Sequence, residues 1–340
     1  MSQHTLRIGS MLLGVALAAC AAPPVDNPDA APDVASMNDS ASDASLSDGD
    51  AIVDVVDSAV RDSADAAPTG CGRCERYTDT VFAGRRPNVV NELSGLAASG
   101  AHPGVYWAHN DSGDTPRIFA IRADGTVVGE YAITGASAND WEDIAVAPCP
   151  EGGGSCIVIG DVGDNPSSRT SVDLYRVREP AALEATGSLT AVRFRVQYPS
   201  GAMNCEAIVV DRADGRAALL IEKAMTPTLR VVTVDLSSAT GGAVMGREHA
   251  AIPSFAGALV TGADMHPCDR SILVRTYASA WELRGPSGAT LVELASAARV
   301  EVPSAAEVQG EAIAYVHNGR GYISSSEGTT ATIRATSCAP

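Results

Sequence analysis

Short apolar runs broken by turn-forming residues dominate the chain from about residue 76 onward. Ile144, Val146 and the run Ile157-Val158-Ile159 are apolar enough for the middle of a sheet. Turn signals punctuate the runs: Ala-Asp-Gly-Thr at 123–126, Ala-Asp-Gly-Arg at 213–216 and His-Asn-Gly-Arg at 317–320. Such residues bond their own backbone and tolerate left-handed conformations. Only 287–298 has the spacing of a helix. The pattern predicts an all-β chain.

The runs repeat. Ser94-Gly-Leu-Ala97, Glu142-Asp-Ile-Ala145, Glu206-Ala-Ile-Val209, Thr261-Gly-Ala-Asp264 and Glu311-Ala-Ile-Ala314 begin 48, 64, 55 and 50 positions apart. A period near 50 with four short strands per unit predicts a β-propeller of five blades, each of four antiparallel strands. Strands are expected near 93–98, 104–109, 117–122 and 126–133 in the first blade and 143–148, 155–160, 172–178 and 190–197 in the second. The third takes 206–211, 217–222, 228–235 and 246–252, and the fourth 262–266, 271–276, 279–284 and 298–302. The fifth has 312–316, 321–325 and 330–335, one strand short, and Tyr77–Phe82 is expected to fill the gap and close the ring. Six blades, with a degenerate one inside the 64-residue interval, is the alternative.

In a propeller the first strand of each blade lines the central channel. Residues at one register then meet around the axis, which gathers Ser94, Glu142, Glu206, Thr261 and Glu311 into a ring of oxygen ligands. Three carboxylates that close repel, so one retains its proton unless a cation sits among them. Oxygen-only ligands in loose geometry suit calcium, and one central ion is expected. The plain alternative is a water-filled channel with solvated Glu side chains.

Composition restricts the rest of the chain. Residues 1–19 have the pattern of a secretory signal, with Arg7 ahead of the apolar Met11–Leu17. Leu17-Ala18-Ala19-Cys20 resembles the bacterial lipobox, which implies lipidation of Cys20, a membrane partner through the lipid anchor and a place in the cell envelope, in the outer membrane. Residues 20–70 are rich in Ala, Asp, Ser and Pro and carry −10 of the chain's net −17. A segment of that kind buries too little to order itself and is expected to be a tether. The propeller is assigned to 71–340. The acidic balance, without a basic stripe, excludes nucleic acid as a partner.

Seven cysteines follow Cys20. Cys149 and Cys156 flank a Pro-Glu-Gly-Gly-Gly-Ser loop and are expected to pair. Cys71 or Cys74 is a candidate to reach Cys338, and an odd count leaves at least one thiol outside an internal bridge. Neither a thioredoxin-like unit around Cys71-Gly-Arg-Cys74 nor a zinc-ligand spacing is present.

The order Ser94, Glu142, Glu206, Thr261, Glu311 resembles the calcium-activated apyrases, five-bladed propellers with one calcium in the channel. Glu92-Leu-Ser-Gly-Leu followed by Asn110-Asp111-Ser-Gly-Asp114, and Trp141-Glu142 leading to Val158-Ile-Gly-Asp-Val-Gly, are similar to motifs of that family over roughly 76–335. Trp107-Ala-His-Asn-Asp-Ser-Gly-Asp114 and Asp140-Trp-Glu-Asp-Ile-Ala145 also resemble bacterial secreted propellers of little-characterised function. The departures lie among the basic residues. Asp164-Asn165 stands where the apyrases have Lys-Glu, and Glu222-Lys223 where they have an Arg pair. Lys223 and Arg275 are the remaining candidates for binding phosphate.

Asp111, Asp114, Asp161 and Asp164 are the candidate catalytic residues, able to orient water or a second cation; the same residue types also serve turns. His109 and His266 are candidate bases, and Trp107 and Trp141 are expected to pack. No Gly-x-Ser-x-Gly elbow, phosphate-cradling Gly-Lys-Ser/Thr loop or His-Glu-x-x-His motif occurs. Two functions follow: a non-catalytic envelope module binding a protein or glycan on its loop face, with calcium fixing the blades, or a calcium-dependent hydrolase of phosphate esters or anhydrides.

Overall fold

Strand β1 (Val81–Arg85) pairs antiparallel with β24 (Thr332–Ser337), joining the two ends of the folded chain into one sheet. The computed structural model describes residues 70–340 apart from 238, 240, 308, 329 and 330. The signal segment, Cys20 and the tether up to residue 69 lie outside the described residues.

Five sheets follow in chain order. The first blade holds β2 (Leu93–Ala98), β3 (Tyr106–Asn110), β4 (Arg117–Ile121) and β5 (Val127–Thr134). The second holds β6 (Trp141–Pro148), β7 (Ser155–Asp161), β8 (Val172–Arg178) and β10 (Val192–Gln197). The third holds β11 (Cys205–Val210), β12 (Ala217–Glu222), β14 (Val231–Asp235) and β16 (Arg247–Glu248). The fourth holds β18 (Val260–Met265), β19 (Ser271–Thr276), β20 (Ala280–Arg284) and β21 (Ala298–Val302). The fifth holds β22 (Gly310–Tyr315), β23 (Gly321–Ser326) and β24, with β1 outermost. This is an all-β, five-bladed propeller.

Several boundaries differ from the sequence reading. The closing strand is Val81–Arg85 rather than 77–82, while Tyr77 makes an isolated bridge to Cys338. The 64-residue interval holds no sixth blade. It holds β9 (Thr186–Thr190), which adds parallel to the outer edge of the first blade, as β15 (Ala243–Met245) adds to the second. Both supply the partner that an exposed strand edge lacks. Residues 228–229 and 252–253 leave the third blade to form a two-stranded ribbon, β13 (Thr228–Leu229) and β17 (Ile252–Pro253). The helical spacing at 287–298 yields only α1 (Leu291–Ala295), started by a Thr290–Glu293 capping box.

Every residue of β2, β11, β18 and β22 is buried, as is all of β6 except Pro148. These innermost strands touch their neighbours around the full circle, β22 against β2 included. Burial on both faces explains why they read as continuous apolar runs rather than alternating ones. Apolar side chains such as Ile208, Leu220 and Val232 of the third blade pack against Val158, Leu174 and Phe194 of the second.

Three disulfides brace the structure: Cys71–Cys268, Cys74–Cys338 and Cys149–Cys156. Cys205 is free and buried.

Candidate functional site

Each innermost strand carries a β-bulge at the same place. Register slips between Leu93 and Gly95, Trp141 and Asp143, Cys205 and Ala207, Val260 and Gly262, and Gly310 and Ala312. The residues left out of register are Ser94, Glu142, Glu206, Thr261 and Glu311. A bulge inserts an unpaired residue and re-aims its side chain. Five repeats of that device place these five residues at one end of the channel.

Their chemistry is uneven. Ser94 Oγ donates to the backbone carbonyl of Glu142 at 2.5 Å, and Thr261 Oγ1 donates to the carbonyl of Gly310 at 2.8 Å. These hydroxyls stitch neighbouring blades. Glu142, Glu206 and Glu311 are all at least nine-tenths buried. Glu206 meets Lys223 Nζ at 2.7 Å and the Asn204 amide at 3.3 Å. Glu311 Oε2 is buried without a hydrogen-bond partner.

A second convergence lies beside Glu142. Carboxylate oxygens of Asp111, Asp140 and Glu142 all come within 4.8 Å of one another. Gly163 makes this possible: a Cβ there would stand 2.1 Å from Glu142 Oε1 and 2.5 Å from Asp140 Oδ2. Asp140 was not singled out in the sequence. Its signal was the spacing Asp140-Trp-Glu142, since alternate residues of an extended chain share a side.

Charge crowding shows in the titration of the group. Burial and then the Glu206, Asp111 and Asp140 carboxylates push Glu142 well above the usual carboxylate range. Burial raises Glu311 to about 9, with Glu206, Glu327 and Asp111 adding to it and Lys223 opposing. Asp140 rises to about 6 through burial, Asp111 and Glu206. Burial also raises Asp111, Glu206 and Glu327. Lys223 goes the other way: burial would lower it, but the Glu206 carboxylate overrides that and holds the ammonium charged.

The remaining candidates are placed elsewhere or already engaged. Asp114 pairs with Arg117 and accepts the Asn110 amide. Asp161 accepts backbone N–H groups of Asn139 and Asp140 and pairs with Arg169 at 2.9 Å. Asp164 accepts the N–H groups of Ser168 and Arg169, closing its own turn. Among the four acids proposed for catalysis, Asp111 is the one beside Glu142. Arg275 is fully buried and paired with Glu307 at 2.6 Å, so its charge is spoken for.

His109 donates or accepts through Nδ1 at the Asn110 carbonyl, and burial lowers its pKa to about 4, leaving it neutral. His266 lies between the Gly319 carbonyl and the Cys268 N–H, its pKa also lowered by burial. Trp107 and Trp141 are buried, their indole N–H groups on Glu179 and on the Ser137 carbonyl.

One layer below the bulges, Asp143 ties three blades. Its carboxylate accepts the N–H groups of Ile144, Ile208 and Ala263 at 2.9, 2.9 and 3.0 Å. Asp264 repeats the device, accepting the Tyr315 N–H at 2.9 Å and pairing with Arg212.

Fold and site together define a five-bladed β-propeller with an acidic channel mouth. No protein-family model matches the chain, and no curated protein matches it. Among solved structures it is similar to the PQQ-bound aldose sugar dehydrogenase of Streptomyces coelicolor, at 11% identity and a TM-score of 0.45, over 78% of this chain and 99% of the other. It is also similar to the Pan2 WD40 domain of Neurospora crassa, at 9% identity and a TM-score of 0.40, over 79% of this chain and 98% of the other. The five-blade assignment stands on strand pairing rather than on either likeness.

Proposed function

We propose that this chain is a cell-envelope lipoprotein whose propeller takes up a calcium ion at the channel mouth and serves as a binding or scaffold module. The observation that carries the cation is the approach of Asp111, Asp140 and Glu142, backed by Glu206 and Glu311 and permitted by the missing Cβ of Gly163. Carboxylates crowded in a buried site need protons or a cation. Oxygen ligands from separate loops and strands suit calcium, which accepts many oxygens at loose geometry. The lipid anchor rests on the Leu17–Cys20 sequence alone.

Binding is favoured over phosphate hydrolysis by the state of the basic residues. Phosphoryl chemistry needs cationic groups free to clamp the transferring group. Arg275 is buried on Glu307, and Lys223 by itself is a single cation among the carboxylates of the mouth. The module's partner is a protein or glycan on the loop face around the mouth, with the ion holding the blades in place.

Thermal melting of the purified chain with calcium and with chelator tests the reading. Calcium should raise the midpoint by mass action, and Asp140→Asn should remove most of the rise. A midpoint indifferent to calcium would refute the site. Calcium-dependent turnover of nucleotides, inositol phosphates or aryl phosphates would replace the binding module with the hydrolase.

A further inference from the structure

The chain has 24 basic Lys and Arg residues, and one of them is lysine. That single lysine, Lys223, stands in the channel mouth. It follows β12, and its backbone N–H donates to the Asn204 carbonyl at 2.9 Å, which fixes its root beside the ring. Its ammonium lies 2.7 Å from Glu206 Oε2 and 4.8 Å from the centre of the Tyr277 ring. The side chain is 11% exposed. Arginine serves at every other basic position, including the buried pairs of Arg275 and Arg212.

The surroundings explain why a lysine fits here. Asp111, Glu142, Glu206, Glu311 and Glu327 all feel the Lys223 charge. Lys223 is the one ammonium among these carboxylates, and its direct ion pair is with Glu206. An ammonium is a compact point charge on a flexible stem, whereas guanidinium is a planar fork that locks onto one carboxylate. The aromatic face of Tyr277 gives the ammonium a second, weaker seat through its quadrupole.

We infer that Lys223 is the built-in counter-ion of the channel mouth, holding Glu206 until a divalent cation displaces it, and that it thereby sets which cations the site accepts. The inference rests on the cation-binding reading above. A monovalent ion offers Glu206 no more charge than the tethered ammonium already does, and it must also displace a group present at high local concentration. A divalent ion brings twice the charge to the same carboxylates. Entry of the ion next to Glu142 and Glu206 repels the ammonium, which swings toward Tyr277 and solvent. The site is therefore selective for divalent ions even though the cluster contains no rigid cage.

Because Lys223 is the chain's one lysine, labelling with lysine carrying 13C at the ε-carbon alone gives a single ε-carbon signal in the full chain. Titration with calcium chloride should move that signal to a new position, and sodium chloride at matched ionic strength should not. Calorimetry should show Lys223→Met binding calcium at least tenfold tighter than wild type, with discrimination against sodium reduced. Lys223→Arg, which keeps the charge, should bind no tighter than wild type and controls for damage to the fold. A lysine signal unmoved at saturating calcium, or a Met variant that binds calcium no tighter than wild type, overturns the inference while leaving the cation site standing. If neither wild type nor the Met variant binds calcium, the site itself falls, and the inference with it. If only the Met variant binds, the ammonium is a permanent occupant that calcium does not displace, and the inference is overturned.

Discussion

The carboxylate of Asp143 on β6 accepts the backbone N–H of Ala263 on β18, a residue 120 positions later, at 3.0 Å. With the same group also holding Ile208, one side chain joins the second, third and fourth blades beneath the channel mouth. Asp143→Ala would strand these N–H groups in a buried layer, and each buried unsatisfied polar group costs about 1–3 kcal/mol. Equilibrium denaturation should show a loss of about 3 kcal/mol or more. A loss under about 1 kcal/mol would mean that water replaces the carboxylate there.

Gly163→Ala tests the geometry of the acidic cluster without touching a charge. The added methyl meets the far ends of Glu142 and Asp140 rather than backbone, so the side chains yield and the fold persists. The expected outcome is a near-normal melting curve in chelator and a calcium-induced rise cut by more than half. A full calcium response in this variant would place the ion away from Gly163.

The pH dependence of the cation-free protein follows from the raised carboxyls. Glu311 has an ordinary value of 4.5 and a folded value of about 9, and Glu142 and Asp140 are raised as well. A carboxyl that holds its proton more tightly when folded stabilises the fold fully below its unfolded pKa, and that contribution is lost as pH rises through the folded value. Depressed groups such as Asp114 and Asp211 contribute in the opposite sense, but only near and below their ordinary value of 3.8. The lowered imidazoles of His109 and His266 add stability as pH rises to about 6.5. Above that range, melting in chelator should show the midpoint falling from pH 7 to pH 9, and saturating calcium should flatten the slope. A midpoint that rises over this range would contradict the crowding of the mouth.

The disulfides should differ in worth. Cys74–Cys338 spans 264 positions and Cys149–Cys156 only 7. Loop-closure entropy grows with the length enclosed, and with Cys71–Cys268 intact the first bridge closes an effective loop of only about 75 residues, so replacing the first pair by Ser should cost about 4.5 kcal/mol and the second about 2.5 kcal/mol. Denaturant midpoints of the two double variants give the comparison. Equal losses would point to native-state strain rather than unfolded-chain entropy.

Much of the fold was legible along the chain because a propeller repeats one local unit. Strands in the first blade, at 93–98, 106–110, 117–121 and 127–134, fall within two residues of where apolar runs and turn residues place them. The bulges were not legible, since nothing in Ser94-Gly-Leu distinguishes a bulged residue from a paired one. The added edge strands β9 and β15 escaped too: Thr186–Thr190 has one large apolar residue, Ala243–Met245 is only three residues long, and both owe their extended form to the sheet edges they cover. Asp114, Asp161 and Asp164 show the limit for chemistry, because an acid that closes a turn and one that faces a channel have the same letter.

The amino-acid sequence alone determined the repeat, the number of blades and the register at which five oxygen-bearing residues recur, because these depend on local patterning of apolar and turn residues. Only the tertiary structure decided which oxygens are free. Ser94 and Thr261 donate to carbonyls of the next blade, Glu206 meets Lys223, and Asp140 joins Asp111 and Glu142 across the gap left by Gly163. Those partnerships join residues far apart along the chain, and closing the ring is what brings them within reach.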